Sequence, residues 1–204
     1  MQHLDLQTIL FIIITIIISL AVHEFMHAFI GFKLGDRTAH DEGRLTLNPL
    51  AHIDPVMTVL LPIGTLLLFG APILAAKPVP FNPYNLKYDE FGAAMIAAAG
   101  PLSNLALAVV GALALNAVGF GNEVARNFLQ IFTELNVALF VFNLIPIPPL
   151  DGSRVLYAFS PEPLRRILQD IEPYGFFIII ALVLAGGLGG FITNLNNMVL
   201  NLLP

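Results

Sequence analysis

Five long apolar stretches run through the chain, and the polar residues between them fall in short clusters rather than in regular alternation. The first, residues 6–32, is rich in isoleucine in its first half. In water such a run would suggest a strand, but at this length in lipid only a helix satisfies its own backbone, so a helix is expected. The polar loop that follows, 33–55, contains Arg44-Leu45-Thr46-Leu47, whose alternation predicts a short β element. A rigid turn with two prolines, Asn48-Pro49-Leu50-Ala51-His52-Ile53-Asp54-Pro55, closes that loop.

The second stretch, 56–76, is broken by Pro62, Gly64, Gly70 and Pro72 and runs into a proline-rich tract. A helix is predicted over 91–119, rich in alanine and glycine, a composition that lets helices approach closely in lipid. Another is predicted over 128–145, leading to Pro146-Ile147-Pro148-Pro149-Leu150-Asp151-Gly152, and a last one over 174–195. Within 161–173, Leu164, Ile167, Leu168 and Ile171 recur at helical spacing beside Arg165 and Arg166. That pattern predicts a short amphipathic helix on the membrane surface.

Composition turns this pattern into a class. Of the 204 residues, 57% are hydrophobic and 11% charged, too little charge to cover a water-facing surface. The expected fold is an all-α polytopic membrane protein forming one domain over residues 1–204. It has four spanning helices plus the broken segment 56–76, which re-enters (or spans, making five), and the short β element after the first helix. The net charge of −5 argues against nucleic-acid binding. Cysteine is absent, which removes disulfides, thiolate ligands and a thiol nucleophile. The first apolar run has neither a basic start nor a small-residue cleavage site and is read as a retained span.

Charge also bears on topology. If 56–76 spans fully, the nine basic residues divide four against five between the two faces, and the positive-inside rule has no preference. If it re-enters, Lys33, Arg37, Arg44, Lys77, Lys87, Arg154, Arg165 and Arg166 share one face and Arg126 alone takes the other. The positive-inside rule then places the first face in the cytoplasm. The same topology brings Asp151, expected at the end of a descending helix, to the face where His23 and His27 lie.

His23-Glu24-Phe25-Met26-His27 carries the chemistry. Residues four apart on a helix project from one face about one turn apart, a spacing at which two imidazoles can bind one tetrahedral zinc. Glu24 lies beside the first of them, placed for general-base work. Two histidines and a glutamate inside an apolar span are costly unless something compensates, and a metal compensates for all three. A catalytic zinc takes a third protein ligand. The candidates are His40, Glu42, His52, Asp54 and Asp151, with Asp151 preferred for its place at the end of an apolar stretch. His52 and Asp54 read as turn-stabilising groups or partners that orient the ligands. Asn104 reads as an interhelical hydrogen-bonding amide or a further support of the site. Asn143 reads equally as such an amide or as a group holding substrate or an oxyanion.

These motifs together resemble the site-2 proteases, the intramembrane zinc metalloproteases of peptidase family M50, in their compact prokaryotic form without a PDZ or CBS domain. The resemblance rests on the His23–His27 motif and on Asn143-Leu144-Ile145-Pro146-Ile147-Pro148-Pro149-Leu150-Asp151-Gly152. Gly100-Pro101-Leu102-Ser103-Asn104 and the 48–55 turn extend it over most of the chain. It implies His23, His27 and Asp151 as ligands of Zn2+, Glu24 as the base that activates water, and a substrate role for Asn143. The implied substrate is a transmembrane protein, cut within or near the bilayer of a prokaryotic cell membrane, with the active site nearer the cytoplasmic face. The rival functions are metal-ion transport through the same residues and a non-catalytic membrane scaffold.

Overall fold

A computed structural model describes residues 5–53, 79–118, 121–186 and 189–204. Helix α1 (Leu6–Lys33) starts at Asp5, whose carboxylate accepts from the Thr8 backbone N–H as an N-cap. Its buried positions are small or polar, among them Thr15, Ser19, His23 and His27 in one i, i+4 stripe, whereas Ile9, Ile13, Ile14, Ile17 and Ile18 are exposed. A water-soluble helix buries the opposite set. The inverted pattern fits a helix whose outer face meets lipid.

Helix α2 (Asp89–Ala117) behaves in the same way: Ala94, Ala97, Ala99, Gly100, Asn104, Ala108 and Gly111 are buried, while Met95, Leu102, Val110 and Leu113 face outward. Small residues on the inner face let α1 and α3 (Glu123–Asn143) pack closely against it. Helix α4 (Asp151–Phe159) lies on α2 as well. It is clamped by Arg165 of α5 (Glu162–Ile171), which donates to the carbonyls of Tyr157, Ala158 and Ser160 and to the Glu90 carboxylate. Helices α6 (Gly175–Leu184) and α7 (Gly189–Leu200) follow, and α7 packs on α3 through Ile192, Leu195 and Val199 around Val137 and Val141.

Among the described residues the fold is all-helical, and α1 and α2 are long and apolar enough to cross a membrane. Three expectations change. No strand forms at Arg44–Leu47: no strand pairs with it among the described residues, and its polar groups are used locally. The Ala39 carbonyl accepts from the Arg44 N–H, and the Thr46 carbonyl contacts His52 Nε2. The single helix expected over 174–195 is two, neither long enough to span alone. The first of them, α6, gives way at Ala185 to Gly186, which has a φ of 70°. A left-handed residue just past the last turn is the usual helix stop, and glycine adopts it without strain. The helix expected over 128–145 starts earlier and carries Glu123, Arg126 and Glu134. Four spans therefore do not appear among the described residues. The segment 56–76 lies outside them.

One buried carboxylate ties the chain just after α1 to the 82–85 turn that leads into α2. Asp36 accepts from the Thr38 hydroxyl at 2.6 Å, the Thr38 N–H at 3.1 Å, the Asn82 N–H at 2.8 Å and the Asn85 amide at 3.3 Å. Burial would raise its pKa, but these donors together hold it below the ordinary 3.8. Its contribution to stability is thus complete above about pH 4 and is lost as pH falls through the lowered value. Asp36→Asn turns an N–H toward donors and should destabilise the chain by about 1–3 kcal/mol near neutral pH. Thermal unfolding in micelles at pH 7 and pH 3 should show the gap narrowing at the lower pH.

Candidate metal centre

His23 and His27 sit on the buried face of α1, 4% and 7% exposed, with Glu24 between them equally buried at 7%. Asp151 reaches them from the first turn of α4. The Asp151 Oδ2 lies 3.2 Å from His23 Nε2 and 3.4 Å from His27 Nε2, and the two Nε2 atoms are 2.9 Å apart. Three potential ligand atoms thus form a compact triangle, and this is the group of such residues that could hold a metal among those described.

Hydrogen bonding on the far side of each ring determines what those atoms are. His27 Nδ1 is 2.7 Å from the Ile96 carbonyl, which can only accept. His23 Nδ1 is 2.6 Å from Asn104 Oδ1. The orientation of that amide is set by its other end, where Asn104 Nδ2 donates to Asn136 Oδ1 at 3.1 Å and to the Ser19 carbonyl at 3.4 Å. Both imidazoles therefore carry their proton on Nδ1. In the neutral rings both Nε2 atoms then present lone pairs, aimed at each other and at a carboxylate oxygen. Such a cluster repels itself unless a proton or a cation lies between its members. A tetrahedral zinc bound at about 2.0–2.1 Å separates its ligands by about 3.3 Å, close to the observed triangle, and two imidazoles with a carboxylate are a normal catalytic donor set. The residues fit the metal.

The surrounding backbone is shaped to admit this cluster. Gly100 of α2 lies against it: a Cβ there would come 2.5 Å from His27 Nε2 and 2.6 Å from His23 Nε2. Contrary to expectation, Asp151 does not end a long helix: α3 stops at Asn143, and the loop 144–150 turns the chain so that Asp151 opens α4. That start is tight. A Cβ on Gly152 would run into the Leu144 carbonyl, so glycine lets α4 begin against the end of α3.

The remaining expected residues fall elsewhere. His52 is buried in the 49–52 turn, with Nε2 2.8 Å from the Thr46 carbonyl, and is not part of the cluster. Asp54 lies outside the described residues. Asn143 is half-buried and donates one amide N–H to the Leu139 carbonyl of its own helix at 2.9 Å. Asn104 is fully buried against His23. Asn136 was not anticipated; its only sequence signal is an amide within the apolar stretch of α3. A groove of about 660 Å3 opens beside the Asp151 loop, lined by Phe81, Glu90, Pro148, Arg154 and Tyr157, and does not include the histidines.

Comparison with known proteins bears on what this cluster does. The model of the family described as "Peptidase family M50" matches residues 119–186, which include Asp151 but not the histidines. The chain is 36% identical over 198 residues to a Bacillus subtilis protein named "Putative zinc metalloprotease YwhC", covering 93% of this chain and 84% of that one. It is 30% identical over 174 residues to the similarly named Rip2 of Mycolicibacterium smegmatis, covering 84% of this chain and 66% of that protein. It is also 34% identical over 135 residues to MJ0611 of Methanocaldococcus jannaschii, again so named, covering 66% and 62%. No solved structure matches.

Proposed function

The chain belongs to peptidase family M50, and from that premise we propose that it is a zinc endopeptidase cutting transmembrane proteins within or near the bilayer. In this reading His23, His27 and Asp151 hold the metal and Glu24 is the base. The observation that carries it is the convergence of two Nδ1-protonated imidazoles and a carboxylate on one point inside an apolar helix pair. Groups of that kind stay buried when an ion compensates them.

Zinc, when bound, supplies Lewis acidity that polarises the scissile carbonyl and makes a water more acidic. The protein's residues do the rest. Glu24 takes a proton from the attacking water and delivers it to the amide nitrogen as the C–N bond breaks. Asn104 and the Ile96 carbonyl hold the two imidazoles in the required tautomer and orientation. Asn143 has a second amide N–H beyond the one bonded to Leu139, and we assign it to substrate carbonyl oxygen. The substrate strand has to be extended locally, because a helical peptide bond is shielded by its own turn. Spans with helix-breaking residues are the favoured class. Further spans beyond α1 and α2 belong to the same proposal and rest on the remaining long apolar stretches; a site nearer the cytoplasmic face of a prokaryotic membrane rests on the distribution of basic residues.

The test is reconstitution in lipid vesicles with a single-span substrate carrying a Gly/Pro break. Cleavage should occur, stop on zinc chelation and return with added zinc. Zinc flux without cleavage would replace this reading with transport. A second expectation concerns the ring support: Asn104→Leu should weaken zinc binding roughly 10–100-fold, measured by chelator competition, because it frees the His23 tautomer.

A further inference from the structure

We propose that Asn136, a residue of α3 hydrogen-bonded to the Asn104 amide and to the Phe132 carbonyl, is a positioning residue that sets the protonation pattern of His23 through the Asn104 amide. The proposal rests on the zinc reading for its purpose, but its geometry stands alone.

Asn136 is fully buried, as is Asn104. Its Nδ2 donates to the Phe132 carbonyl at 2.8 Å, a backbone oxygen that can only accept. That bond determines which end of the Asn136 amide faces inward: Oδ1 is turned to Asn104 and accepts from its Nδ2 at 3.1 Å. Asn104 must then present Oδ1 to His23 Nδ1, at 2.6 Å. His23 in turn must protonate Nδ1 and leave the Nε2 lone pair facing Asp151 and His27. The polarity thus passes from a backbone carbonyl of α3, through two amides, to the ring nitrogen of α1, and each link has one allowed direction.

Without the Asn136 oxygen, the Asn104 amide keeps only the 3.4 Å bond to the Ser19 carbonyl to hold it. It can then turn over and offer Nδ2 to His23. The ring would answer by moving its proton to Nε2, and a protonated Nε2 cannot ligate a metal. The same contact joins α3 to α2 beside the site, so the placement of α3 and the readiness of His23 are linked.

The experiment uses the full chain in micelles. Asn136→Ser can return its hydroxyl to the Phe132 carbonyl four residues back but cannot reach Asn104. Asn136→Asp, as the neutral acid, keeps a carbonyl oxygen for Asn104 and an O–H that can donate to the Phe132 carbonyl. In the metal-free protein, 15N spectra of the histidine rings should show His23 protonated at Nδ1 in the parent and in Asn136→Asp, and a mixture of tautomers in Asn136→Ser. Zinc affinity by chelator competition should fall roughly ten-fold in Asn136→Ser, the low end for a group acting on a ligand, and return toward the parent value in Asn136→Asp. A parent-like tautomer and affinity in Asn136→Ser would overturn the proposal. So would equal weakening in both variants with the tautomer unmoved, which is what a purely structural role predicts. If the parent chain bound no zinc, the metal reading would fall, while the tautomer comparison would still decide the role of Asn136.

Discussion

Glu24→Gln should leave the zinc content of the purified chain at the parent level while cleavage of a transmembrane substrate falls by about 10²–10⁴-fold. Glutamine matches glutamate in length and shape, so the packing of α1 around position 24 is preserved. What it loses is the ability to accept and release a proton. The proposed ligand set of His23, His27 and Asp151 is untouched, so metal content and activity should separate in this variant, whereas replacing a ligand should lose both. The fold should hold or gain: Glu24 is 7% exposed on an apolar helix, and a neutral amide there is less costly than a carboxylate. The measurements are zinc per chain, thermal unfolding and the rate of product formation from one preparation. Parent-like cleavage would remove Glu24 from the role of base. Lost zinc together with lost cleavage would make Glu24 part of the metal's support instead.

The parts of this site that were legible in the sequence are those that depend on local spacing. The His23/His27 interval needs only the helical period, and the polar stripe of α1 is visible because it interrupts an isoleucine run. The bounds of α2 and of the amphipathic helix α5 fall within two residues of the expected ones at each end. Elsewhere periodicity identified helical character but not where it stops. The end of α6 is marked by the left-handed Gly186, one of several glycines of equal appearance in the sequence. The turn between α3 and α4 was hidden for a different reason: a proline-rich tract signals an end, but not that Asp151 would begin the next helix rather than finish the last. The alternation at 44–47 lacked the partner strand that alternation alone cannot supply. The support of His23 was least accessible, since Asn104 lies 81 positions away and Asn136 another 32 beyond that. Such contacts arise from helix packing and have no local signature.

Gly100 is where packing and chemistry meet, and its substitution by alanine should abolish metal binding even though alanine is by itself the better helix former. In an exposed helix, glycine to alanine is worth up to about 1 kcal/mol in favour of alanine. Here the added methyl would lie 2.5 Å from His27 Nε2, 2.6 Å from His23 Nε2 and 2.6 Å from His27 Cε1, inside the space the ligand atoms occupy. The rings have little freedom to yield, because their Nδ1 sides are anchored on Asn104 and the Ile96 carbonyl. To make room, at least one imidazole must give up its anchor and turn away from Asp151. Outer-sphere losses cost about 10–100-fold in affinity, and displacing a ligand itself should exceed that range. Cleavage should disappear with the metal, and helix content by circular dichroism should not fall. Gly189→Ala is the control, because a Cβ there meets nothing within 4 Å, and it should keep both zinc and activity. Normal zinc affinity in Gly100→Ala would mean that the two rings do not converge where Gly100 faces them, and the triangle of His23, His27 and Asp151 could not then be the metal centre.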